Sequence, residues 1–153
     1  MIEILTDAQF EELMNLNKYF TQKNIQLPTV GENKSFDLAA RETEDKFFLD
    51  ADRRGRIELK VKLQTRYALT KLPLVRIDLN SPPHINPDGT RVSRDHIHIY
   101  RDTDYNTGNL PWAYELNSIN IFSKDDSSTD FMEVFYHFCE YCHIESHTVQ
   151  GVI

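Results

Sequence analysis

Three of the six histidines, His84, His96 and His98, fall in one run, RIDLNSPPHINPDGTRVSRDHIHIYRD (76–102). His96 and His98 stand two apart in HIHIY, where polar and apolar residues alternate. On a strand, that spacing sends both imidazoles to one face, about 7 Å apart. Two imidazoles so placed can bind one metal, because ligand bonds of about 2 Å let their nitrogens converge. His84, on the connection leading into that strand, is the candidate third ligand, and Asp78, Asp88 or Asp95 can add an oxygen. The expectation is a divalent-metal site built from three histidines, or from two histidines and a carboxylate. Zn2+ comes first by ligand type, with Mn2+, Ni2+ or Fe2+ behind it.

The same residue types suit a second chemistry without metal. Two histidines can act as general base and acid while Arg76 or Lys60 stabilises a pentavalent phosphate, with Tyr100 or Arg101 binding phosphate nearby. That is the layout of a small ribonuclease. A plainer reading competes with both. Histidines often decorate the wet side of a sheet, and Asn86-Pro87-Asp88-Gly89 makes a good turn with no chemistry attached, since proline presets one dihedral and glycine accepts a positive one.

Strands must position these residues. Ile57 to Tyr67 alternates, with Ile57, Leu59, Val61 and Leu63 on one side and Glu58, Lys60, Lys62, Gln64 and Arg66 on the other. Leu74 to Leu79 repeats this, with Val75, Ile77 and Leu79 in and Arg76 and Asp78 out. In the third strand Ile97 and Ile99 point in, and His96, His98 and Tyr100 point out. If these strands are neighbours, one uncovered face gathers Lys60, Lys62, Arg66, Arg76, Asp78, His96, His98 and Tyr100. Its cations are candidate contacts for nucleic acid. Lys46 to Arg53 is a further candidate strand, with a hairpin turn at Arg53 to Gly55, and Trp112 to Leu116 another.

Helices are expected at both ends. Thr6 and Gln9 have capping-box spacing, and Phe10, Leu13, Met14, Asn17 and Phe20 form a stripe. Residues 21–34 read as an irregular connection. From about Asp130 to Ile144 a second helix carries Phe131, Val134, Phe135, Phe138 and Cys142 on one face, and its aromatic content would serve a dimer as readily as a core. The expected fold is α+β: one domain over 1–153, an antiparallel sheet with the N- and C-terminal helices packed on one face.

Cys139-Glu140-Tyr141-Cys142-His143 matches the CxxCH pattern of haem attachment, but that chemistry belongs to an exported setting, and Cys142 sits on the apolar stripe. Zinc on Cys139, Cys142 and two of His137, His143 and His147 would require the helix to bend or end. Two buried thiols beside solvated histidines is the simpler reading. KDDSSTD (124–130) lacks EF-hand spacing and reads as a solvated loop and cap.

The formal charge is −7, which argues against a general nucleic-acid binder while leaving room for a local basic patch. MIEILTDAQFEEL lacks the basic start and apolar run of a signal peptide, and no stretch approaches the roughly 18 apolar residues of a membrane span. With two cysteines there is no disulfide framework, so a cytoplasmic setting is expected, without membrane partners.

RRGRIELK, LVRIDLNSPPHINPDGTRVSRDHIHIYRD and WAYEL, within Arg53 to Leu116, resemble a group of small proteins from phages and mobile elements of Gram-positive bacteria. Their shared core is RGRI, an RxD strand, PPHxNPDG and HxHxYR. The segment is similar to anti-CRISPR proteins, which disable RNA-guided nucleases of the host. A weaker likeness runs to ribonuclease toxins that pair an RxD strand with an HxH strand. The resemblance implies a protein acting in a bacterial host, with a type II CRISPR effector as partner. It would obstruct nucleic-acid loading or a conformational step. The alternative it implies is a toxin-like nuclease using His84, His96 and His98.

Overall fold

The computed structural model describes residues 5–55, 60–102, 109–122 and 130–150. Thr6 starts the first helix, α1 (Asp7–Asn15), through the expected capping box: its hydroxyl accepts from the Gln9 amide, and the Gln9 side chain accepts from the Thr6 amide. These bonds satisfy donors that helical pairing leaves orphaned. The helix stops at Asn15, short of the Phe20 that its stripe suggested, because Lys18–Phe20 forms strand β1 instead.

Residues 21–34, expected to be irregular, include β2 (Ile25–Gln26) and the start of β3 (Asn33–Ala40). There follow β4 (Lys46–Asp52), β5 (Val61–Tyr67), β6 (Pro73–Leu79), β7 (His84–Ile85), β8 (Arg91–Val92), β9 (His96–Ile99) and β10 (Ala113–Glu115). Then come α2 (Phe131–Tyr141), β11 (Ile144–Glu145) and β12 (Val149–Gln150). Ile57 to Leu59 of the strand expected over Ile57 to Tyr67, and most of KDDSSTD, lie outside the described residues.

The fold is α+β. Eight strands form one sheet in the order β10-β9-β6-β5-β4-β3-β1-β11, antiparallel except where β11 joins β1 in parallel. Alternation sets its two faces. Phe47, Leu49, Ala51, Val61, Leu63, Ile77 and Ile97 are each at most 1% exposed and share one face by register. Asp50, Gln64, Arg66, Arg76 and Asp78 take the other.

Lys18 is a buried cation, 1% exposed. Its ammonium donates to Met14 O (3.1 Å) and Leu16 O (2.9 Å) at the end of α1, and to Cys142 O (3.0 Å) at the end of α2. It also lies 5.0 Å from the Phe47 ring centre. Helix C-termini carry partial negative charge, so a cation there is favoured. Burial lowers its pKa to about 8, which leaves it protonated at neutral pH.

Candidate metal centre

The register of β6 with β9 puts Asp78 opposite His96 and Arg76 opposite His98, as the alternation in the sequence requires. One expectation about their surroundings is corrected. His96 and His98 are 1% and 2% exposed, not on a wet face. The β7–β8 hairpin closes over this end of the sheet. Asn86 fastens it: its side-chain amide donates to Ala113 O (2.9 Å) and accepts from Ala113 N (2.8 Å), acting as one more peptide unit on the edge strand β10. Ser93 is held by the Glu115 carboxylate. Tyr100 is corrected too. It follows the end of β9 beside a β-bulge in the β5–β6 pairing, and its ring stacks on Phe10 of α1 at 5.6 Å while its hydroxyl donates to Leu5 O.

Hydrogen bonds orient both strand histidines. His96 Nδ1 lies 2.7 Å from Ser93 O, and His98 Nδ1 lies 2.7 Å from Leu110 O. A carbonyl only accepts, so both Nδ1 atoms carry protons and both Nε2 atoms face inward. They meet Asp78 Oδ2 at 3.3 and 3.4 Å. The ligating atoms of Asp78, His96 and His98 all lie within 4.8 Å of one another. Backbone carbonyls that fix the outer ring nitrogen are the usual support of a metal-binding histidine.

The sequence from residue 5 to residue 144 matches a family of unknown function, DUF6978. The chain belongs to this family. The matched span contains both helices and the whole of the histidine cluster. No curated protein and no solved structure matches.

The charges at the centre of this DUF6978 member are coupled. Burial pushes the Asp78 carboxyl up, but the bond from His96, the closeness of His98 and the Arg76 charge outweigh it and hold Asp78 well below the usual carboxylate range. Arg76 Nε donates to Asp78 Oδ1 at 2.8 Å. Its NH2 group lies 3.1 Å from His98 Nε2. Guanidinium only donates, so His98 Nε2 accepts and the ring is neutral. Accordingly the His98 pKa is lowered: burial outweighs the pull of the Asp78 carboxylate, and Arg76 acts in the same direction as burial. Burial also acts to lower His96, but its bonds to Asp78 and Ser93 O win and raise it.

The other sequence candidates are placed as follows. The His84 ring sits beside the cluster, its centre 4.7 Å from that of His98 and 6.0 Å from that of His96. Its Nε2 is engaged by Pro111 O at 2.7 Å, and it is not among the three residues whose ligating atoms converge. Asp88 is exposed and binds the Thr90 amide inside the turn, and Asp95 binds the Asn80 amide. Both are therefore spent on loop geometry. Arg66 is held by Asp50 at 2.6 and 2.9 Å, and Lys60 and Lys62 border a separate hollow with Arg54.

At the C-terminus Cys139 and Cys142 are buried, and burial raises both thiols, Cys142 to about 12. His143 Nδ1 lies 2.8 Å from Met14 O and the His137 ring stands against Phe122, so neither is gathered with the thiols. Asn86 is the positioning residue that the sequence reading did not single out. Its only signal, the NPDG turn, explains the backbone and not the side chain. Among the described residues no helix is long and apolar enough to cross a membrane.

Proposed function

We propose that the chain is a metal-clamped binding protein that inhibits a type II CRISPR effector, with Asp78, His96 and His98 holding one divalent cation, Zn2+ first. The observation that carries the clamp is the burial of all three ligands, none more than 4% exposed, beneath a fastened hairpin. Burial shields such a cation from bulk water, while three protein ligands leave one position of a tetrahedral zinc for a water or a further donor. Two neutral imidazoles and a carboxylate suit zinc, and the cation would take the place of the His96 proton and of the Arg76 contact to His98. In this reading both helices lie on the face opposite the site.

The effector as partner is supported by the RxD…PPHxNPDG…HxHxYR resemblance and by the charge of −7. CRISPR effectors hold their heteroduplex in a positively charged channel, and an acidic domain can compete for such a surface in the cytoplasm of the host cell. The test is a titration of purified protein into a Cas9-type cleavage reaction, with elemental analysis of untagged protein. The expected result is complete inhibition near one chain per effector, without turnover, and near one zinc per chain. Cleavage that proceeds at excess protein defeats the inhibitor, and metal-free protein defeats the clamp.

One observation favours a ribonuclease as the second reading. The Arg76 side chain is 25% exposed and touches both Asp78 and His98, so an anion reaching it from outside would stand beside the cluster. RNA cleavage by the pure protein, lost in His98→Ala, would select that reading.

A further inference from the structure

The open side of the sheet carries a groove of about 380 Å³ that shares Arg76 with the metal centre and is otherwise lined by residues outside it. Its cations are Lys34, Arg54, Lys62, Arg66 and Arg76, and its carboxylates are Asp50 and Asp52. Arg54 is paired with Asp52, Arg66 with Asp50 and Arg76 with Asp78, so Lys34 and Lys62 carry the positive surplus, on a chain whose formal charge is −7. The concentration of cations is therefore local and opposes the average charge.

The arrangement follows from strand geometry. Lys62, Gln64 and Arg66 alternate along β5 and project from one face at steps of about 6.7 Å. Arg76 stands beside this row on β6, opposite Gln64. Asp50 does not quench Arg66 so much as orient it: the guanidinium is bound at two points and stacks 4.7 Å from the Phe48 ring centre, with its side chain 27% exposed. Arg54 is 60% exposed beside Asp52, and Lys62 is exposed.

We propose that this groove binds the phosphate backbone of a single-stranded nucleic acid. Ammonium and guanidinium groups suit phosphate, and Lys62 and Arg66, two steps or about 13 Å apart on β5 with the Gln64 amide between them, line a path for an extended strand. The walls are polar, without the buried apolar anchors that centre a protein interface. This binding does not require the metal.

The experiment is fluorescence anisotropy with labelled 12-nucleotide RNA and DNA at low salt, with EDTA in parallel. Saturable binding of either oligonucleotide is expected, with a slope of log K against log salt near about −2, as three phosphate contacts give on a single strand. Arg54→Glu and Lys62→Glu, both at exposed positions, each weaken binding about tenfold, while Lys71→Glu on the β5–β6 turn does not. Retained binding in EDTA separates this result from the fate of the metal centre. No saturable binding overturns the proposal. So do equal affinities for wild type and both groove variants when all melt alike, or a polyglutamate peptide that binds as tightly as the oligonucleotides.

Discussion

Replacing Lys18 by methionine keeps the aliphatic stem and removes the ammonium that joins the ends of α1, α2 and β1. Three carbonyl oxygens, of Met14, Leu16 and Cys142, then lose a charged donor. Met14 O keeps the His143 Nδ1 donor, so two acceptors are left unsatisfied at about 1–3 kcal/mol each, a gross loss of about 4 kcal/mol. Against it stands the desolvation that the charge no longer suffers. A pKa lowered from 10.5 to about 8 corresponds to about 3 kcal/mol at 1.36 kcal/mol per unit. The net expectation is a loss of about 1 kcal/mol at pH 7, or about 2–4 °C in Tm for a domain of this size. Urea unfolding followed by circular dichroism measures it.

The pH dependence provides a separate check. Lys18 loses its proton near pH 8 when folded and near 10.5 when unfolded, so between these values the unfolded chain binds more protons. Stability from this group therefore rises with pH across that window, by about 1.4 kcal/mol per unit. Tyrosines and thiols titrate there too, but they largely cancel in the difference between wild type and Lys18→Met. A variant as stable as wild type at pH 7, or a difference that stays flat from pH 8 to 10.5, would refute the reasoning.

Zinc at a hundred times its Kd should stabilise the protein by about 2.7 kcal/mol, a rise of about 5–10 °C in a thermal-shift assay at pH 7.5. The rise should vanish in His96→Ala and His98→Ala. It should also shrink at pH 5.5, because protons compete for imidazole nitrogen. Asn86→Ala removes two hydrogen bonds and should cost about 2 kcal/mol, with the Ala113 amide exchanging faster in hydrogen-exchange measurements. Cys139 and Cys142 should resist iodoacetamide at pH 8 in the folded protein and react in urea, as mass spectrometry would show, because burial keeps both thiols protonated.

The core of the site was legible because its positions rest on parity alone. Arg76, Asp78, His96 and His98 each had to face away from Ile77 and Ile97, and pairing of β6 with β9 brings them together. The first helix start and the Asn86–Gly89 turn were legible for similar local reasons, a capping box and a glycine at φ 89°. The cover over the histidines was not. It depends on β7 and β8, two residues each, whose position is set by Asn86 and His84 reaching chain 27 residues away. Neither bond leaves a periodic trace. The true end of α1 was hidden because Phe20 continues a helical stripe numerically while β1 buries it from a strand.

The parallel join of β11 to β1 also constrains how the protein forms. The ammonium of Lys18 finds the Cys142 carbonyl across 124 residues of chain. During synthesis β1 leaves the ribosome long before that partner exists, so this side of the sheet must wait, open, until Ile144 and Glu145 have emerged. Closure of so distant a loop is slow, and until it occurs the incomplete edge is where the nascent chain is most exposed to pairing with a neighbour.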